Sequence, residues 1–198
     1  IYEKNSFALI RTILFSLALS AVVSTCNVLK NCATATIHFS QKEAFATFYE
    51  HIPTIRLPFE YSYNFILDLP NTICPNKEAM NFIATCVDAD TDLSICRIAK
   101  LPSTNNWHLF LIFGNNQTGE SRIFLCALDS KYNLTNKLLI YTAKDVQWKG
   151  KIENCYLHYT IMPDNSVILK EMIATPGKPK LVRKRIYSFS KGKFKLRK

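Results

Sequence analysis

The stretch from Trp107 to Leu128 constrains the chain more than any other. Trp-His-Leu-Phe-Leu-Ile-Phe leads into Gly114-Asn-Asn-Gln-Thr-Gly119-Glu and then into Ser-Arg-Ile-Phe-Leu-Cys-Ala-Leu. Two short apolar runs, rich in aromatic and β-favouring residues, flank a polar loop with a glycine near each end. This pattern reads as an antiparallel hairpin at the centre of a sheet. The same grammar returns downstream. Residues 137–143 read as a strand after a turn at 129–133, and residues 154–161 and 166–173 flank Met162-Pro-Asp-Asn165, whose residue types suit a tight connection. Residues 185–190 and 193–196 flank Lys191-Gly192 as a further hairpin. In that last strand Phe194 and Leu196 alternate with Lys193, Lys195 and Arg197, giving one apolar and one cationic face. A basic face on an edge strand also discourages edge-to-edge pairing.

Upstream of the hairpin the period changes. Ser40 and Glu43 have the spacing of a capping box. Phe45, Phe48, Tyr49 and Ile52 then follow at i, i+3, i+4 and i+7, the apolar stripe of a helix that Pro53 ends. Pro53 and Pro58 force extended backbone before an expected strand over 61–68, and residues 77–84 read as a second short helix. At 198 residues the chain suits one domain and can bury roughly 70% of its unfolded surface, so no metal or staple is needed for a core. The expected fold is mainly β with one or two short helices, of α+β type. It is a twisted antiparallel sheet of hairpins, arranged as a partial barrel or propeller-like, with a β-sandwich as the alternative.

The first residues look like an address. Lys4 and Arg11 precede the apolar run from Thr12 to Val23, which is followed by Ser24-Thr25-Cys26. Twelve residues at about 1.5 Å each do not cross a hydrocarbon core of about 30 Å as a helix, so the run reads as a signal-peptide core. Residues 1–25 are therefore expected to be a signal peptide, and residues 26–198 a single β-rich domain closed by a basic hairpin over 178–198. Val23-Ser24-Thr25-Cys26 also resembles a bacterial lipobox, with Thr25 larger than the usual small residue. Two readings stay open: lipid attachment at Cys26, or ordinary cleavage near Ser20 or Ser24.

Setting Cys26 aside leaves six cysteines, an even number compatible with disulfides in an oxidising compartment. Cys86 and Cys96 lie nearest each other and form the candidate disulfide. Closing that loop would add about 2 to 3 kcal/mol. Cys126, among Phe124, Leu125 and Leu128, reads equally well as a buried free thiol.

The net charge of +10 is unevenly placed. Residues 178–198 hold ten Lys or Arg and no acid, so the rest of the chain is balanced. No helix-turn-helix, zinc-finger or RNA-recognition pattern accompanies the charge, and no nucleic-acid partner is expected. The five glycines stand singly in expected turns, which leaves none for a phosphate-cradling loop; no cofactor is expected. There is no Gly-x-Ser-x-Gly elbow and no His-Glu-x-x-His. Asp88, Asp90 and Asp92 are spaced like the opening of a calcium loop, but Leu93 replaces its glycine and Ala99 its bidentate Glu. They read as an acidic surface turn and, at most, a site for a weakly held cation. Cys155 and His158 fall on opposite faces of a strand and do not form a metal pair. Asn116-Gln-Thr118 and Asn133-Leu-Thr135 match the N-glycosylation sequon in loops.

The helix running into Ile-Pro-Thr-Ile-Arg-Leu-Pro-Phe (52–59), the Asp129-Ser-Lys-Tyr turn and the closing Arg-Ile-Tyr-Ser-Phe-Ser-Lys-Gly-Lys-Phe (185–194) resemble uncharacterised secreted lipoproteins of Bacteroidetes-type bacteria. The resemblance implies a β-rich envelope protein with Cys26 as its lipid site, and it supplies no activity. The expected function is a non-enzymatic envelope lipoprotein that binds a partner or ligand, held at the membrane by its lipid. The alternatives are an envelope hydrolase using His158 or His108 with nearby carboxylates, and attachment of the basic tail to an anionic surface.

Overall fold

The computed structural model describes residues 41–102, 104 and 106–197. Lys42–Lys198 form one compact unit. The signal segment, Cys26, Cys32 and the expected Ser40 cap lie outside the described residues.

Helix α1 occupies residues 41–50 and closes in a turn before Pro53. A two-residue strand β1 (Phe59–Glu60) follows, then two further helices, α2 (Tyr63–Asp68) and α3 (Lys77–Ile83), the latter continued by a 3₁₀ turn at Ala84–Cys86. The remaining chain is an antiparallel meander. Its strands are β2 (Thr91–Lys100), β3 (Trp107–Asn116), β4 (Ser121–Asp129), β5 (Leu134–Trp148), β6 (Lys151–Ile161), β7 (Val167–Ile173), β8 (Lys180–Ser190) and β9 (Lys193–Leu196). They pair in sequence order, and β1 pairs with β6 off the main path. The sheet is mainly β with short helices, as expected, and it is not closed.

β5 is the pivot. Its first part pairs with β4 and its last part, from Ala143 to Trp148, with β6. Register shifts at Ile123/Phe124 and Ala127/Leu128 mark irregularities along the β4–β5 ladder, of the kind that bend a strand. The second half of the sheet therefore turns over the first. Leu109, Leu111, Ile123 and Leu125 share one buried cluster with Tyr159, Ile161, Val167 and Leu169 from β6 and β7. On the opposite face Phe110, Ile112, Phe124 and Cys126 pack against Phe45 and Tyr49 of α1 and Phe82 and Ile83 of α3. Burial on both faces explains why β3 and β4 read as continuous apolar runs without alternation. Phe45 and Phe82 stack at 4.4 Å between centroids. Burying each such ring contributes about 1.5 to 3 kcal/mol.

The β8–β9 hairpin returns to the beginning of β5. Thr135 Oγ1 donates to the Gly192 carbonyl at 2.9 Å, and the Phe194 amide donates to Asn136 Oδ1 at 3.1 Å. Side chains, rather than a ladder, thus tie the last strand to β5.

Two local expectations differ from the structure. The strand expected over 61–68 is helical. Ser62 Oγ accepts from the Phe65 amide at 3.4 Å, and Phe65, Ile66 and Leu69 turn into the core at i, i+1 and i+4, a spacing only a helix places together. β2 was not anticipated, because an irregularity between Asp92 and Arg97 disturbs its alternation and leaves Ile95 exposed beside buried Cys96.

Candidate functional site

The candidate side chains group into four places, beginning with the acidic turn. Asp88 Oδ1 meets Lys137 Nζ at 2.7 Å, and Asp90 Oδ1 meets Arg122 at 2.7 Å. Asp92 accepts from the Ser94 amide at 2.8 Å, and the Ser94 side chain, followed by that amide, holds its carboxyl below the usual range. Each carboxylate has its own partner, and the structure does not bring the three together. Among the described residues no three metal-ligating side chains gather.

The thiols of Cys86 and Cys96 are both free and buried. The neighbour of Cys86 is Cys126, whose thiol donates to the Cys86 carbonyl at 3.7 Å. Cys96 is pushed up to about 12 by burial and then by nearby Cys74. Cys155 lies 3.8 Å from Glu171 Oε1, and burial followed by that carboxylate raises its pKa. A protonated thiol is a poor nucleophile at neutral pH. Cys155 and Glu171 sit in a cleft of about 210 Å³ that also takes in Lys144 and Arg185.

The histidines serve as rings. His108 stacks on Tyr132 at 4.6 Å and meets Tyr49 edge-on at 5.1 Å. His158, on the face of β6 opposite Cys155, lies 5.1 Å from Tyr61. Burial lowers the pKa of both, with Lys170 adding to the effect at His158. Tyr61, Tyr141, Tyr156 and Tyr159 cluster around that end of β6. The buried Tyr159 hydroxyl has no hydrogen-bond partner among the described residues. Neither sequon presents a free amide. The Asn116 side chain is bound within its turn by Thr118 and Glu120. The Asn133 side chain bonds to Lys42 and to Asp129.

The fourth place is the cationic end of the sheet. β9 covers β8 only from Tyr187 to Ser190, with the Arg197 amide adding one bond to the Ile186 carbonyl at 2.7 Å. Among the described residues no strand pairs with 180–185 on that side. A groove there is lined by Arg183, Lys184, Arg185, Ile186, Leu196 and Arg197. Leu181, Val182 and Leu196 are exposed beside it. The Arg197 guanidinium reaches Asp164 only at 3.9 Å. Sequence reading located this charge in a terminal hairpin; the uncovered edge follows from β8 being longer than β9. No family model, curated protein or solved structure matches the chain.

Proposed function

We propose that the protein is a non-enzymatic binding module of a cell envelope that holds an anionic partner on β8 and β9. The observation that carries this reading is the groove of Arg183, Lys184, Arg185 and Arg197 within a segment that contains no acid. The envelope assignment draws on the apolar run Thr12 to Val23, on Cys26 as a lipid site and on the family resemblance. Support for binding over catalysis comes from His108 and His158, which are packed against tyrosine rings, and from Cys155, whose proton is retained.

The test uses the full chain with polyaspartate and, separately, with phosphatidylglycerol vesicles. Binding weakens as salt rises and is lost in the triple variant Arg183→Glu, Lys184→Glu, Arg197→Glu, because exposed charges are screened beyond about 8 to 10 Å at moderate ionic strength. Binding to neither probe, or binding indifferent to salt and to the reversal, overturns the reading. Intact mass from the native membrane fraction tests the address. A chain starting at Cys26 with acyl groups is the expected species.

A further inference from the structure

We infer that the uncovered edge of β8 accepts an extended acidic peptide as an additional strand, which deepens the binding reading above and rests on it. The backbone directions come from the register. Lys191 and Gly192 close the β8–β9 hairpin as a two-residue turn with positive φ values of 49° and 74°, so Ser190 and Lys193 are the bonded pair next to it. Bonded pairs recur every second residue. Ser188 therefore turns its amide and carbonyl toward β9, and Ile186 does the same, as its bond from Arg197 shows. Two residues further on, Lys184 aims its amide and carbonyl to the same side, where β9 has ended. Arg183 and Arg185 spend their backbone groups on β7. A register shift opposite Glu171/Met172 leaves Val182 without a β7 partner, so the regular part of this edge is 183–185, about 10 Å of strand centred on Lys184.

Charge selects the partner. On one face Lys184 stands directly across from Lys170, which in turn stands across from His158. Like charges in direct opposition disfavour a strand pair, and an acidic residue on the next strand relieves them. On the other face Arg183 lies across from Glu171 and Arg185 across from Leu169, so cations outnumber acids there as well. The same lysines and arginines repel the edge of a second copy of this chain, which is how a cationic edge blocks self-pairing while admitting an acidic strand. Exposed Leu181, Val182 and Leu196 add apolar contact, so the fitting sequence mixes Asp or Glu with β-branched residues.

The experiment titrates the full chain with a labelled peptide of alternating Glu and Val. The control has the same length and charge, with proline in place of valine. Exchange at the Lys184 amide is read by two-dimensional NMR. The expected result is binding of the Glu/Val peptide, about tenfold weaker binding of the proline control and new protection of the Lys184 amide. Arg183 and Arg185, already in the ladder, do not change. Equal binding of the two peptides without protection at Lys184 overturns strand addition while leaving a cationic binding surface. Failure of both peptides together with polyaspartate and vesicles overturns the binding reading itself.

Discussion

Gly192 holds a φ of +74°, and a methyl group on it would lie 2.3 to 2.9 Å from the ring of Trp107. The position thus combines a backbone conformation costly for L-residues with a contact that leaves no room. Gly192→Ala is expected to lose about 2 to 5 kcal/mol, since left-handed strain costs about 1 to 2 and overpacking about 1 to 3. Gly119 is the comparison. Its φ is +84° but nothing lies within 4 Å of a Cβ there, so Gly119→Ala should cost only the strain, about 1 kcal/mol. Urea midpoints of the two variants separate crowding from strain, and equal losses would mean Trp107 moves aside freely. Gly192 is legible in the sequence as a hairpin turn. Its meeting with Trp107 is not, because that contact joins the β8–β9 turn to β3 across the sheet and depends on how far β5 bends.

Helix α1 shows what local pattern conveys well. Phe45, Tyr49 and Ile52 have the expected spacing and are buried to 2% exposure or less, whereas Phe48 is only partly buried. Phe45→Ala should therefore cost about 3 to 5 kcal/mol and Phe48→Ala distinctly less, measured by chemical denaturation. The reading of α2 failed because Tyr61, Tyr63 and Phe65 alternate as a strand would, while the deciding facts are the Ser62 cap and the need for Leu69 to reach the core. The pairing of Cys86 with Cys96 failed for a related reason, whereas Cys126 is the buried free thiol expected. Nearness in sequence pointed to Cys86 and Cys96, but the sheet brings Cys126 to Cys86 and Cys74 toward Cys96. Among the five described cysteines Cys74 alone is exposed, so peptide mapping after alkylation of the native protein should find Cys74 modified. Cys86, Cys96, Cys126 and Cys155 should react only after unfolding. Rapid native labelling of Cys126 would mean the helices leave that face of β4.

At the scale of the molecule the two cores differ in what they bury, and pH reads the difference. The helix-covered face borders His108, and the folded-over face borders His158 and the tyrosine cluster. Burial holds both histidines below their ordinary value of 6.5, so on acidification the unfolded chain takes up protons before the folded one. The stability they contribute is present above about pH 6.5 and falls as pH drops through their lowered values. At the alkaline end the direction reverses. Burial, then the neighbouring Tyr61, pushes Tyr141 up to about 12, and burial raises Tyr159 further still. Unfolded tyrosines ionise near 10, ahead of these two, so stability falls as pH rises from about 10 toward 12. Urea midpoints across this range should form a plateau with two shoulders. Tyr141→Phe reduces the alkaline shoulder, to which Tyr159 and Cys96 also contribute, and leaves the acid one, while the pair His108→Gln and His158→Gln reduces the acid shoulder and leaves the alkaline one. Tyr159→Phe is the sharper variant, because it also removes a buried hydroxyl that has no partner among the described residues. It should be as stable as the wild type at neutral pH or more so. A loss of more than about 1 kcal/mol there would show that the hydroxyl has a bonding partner after all.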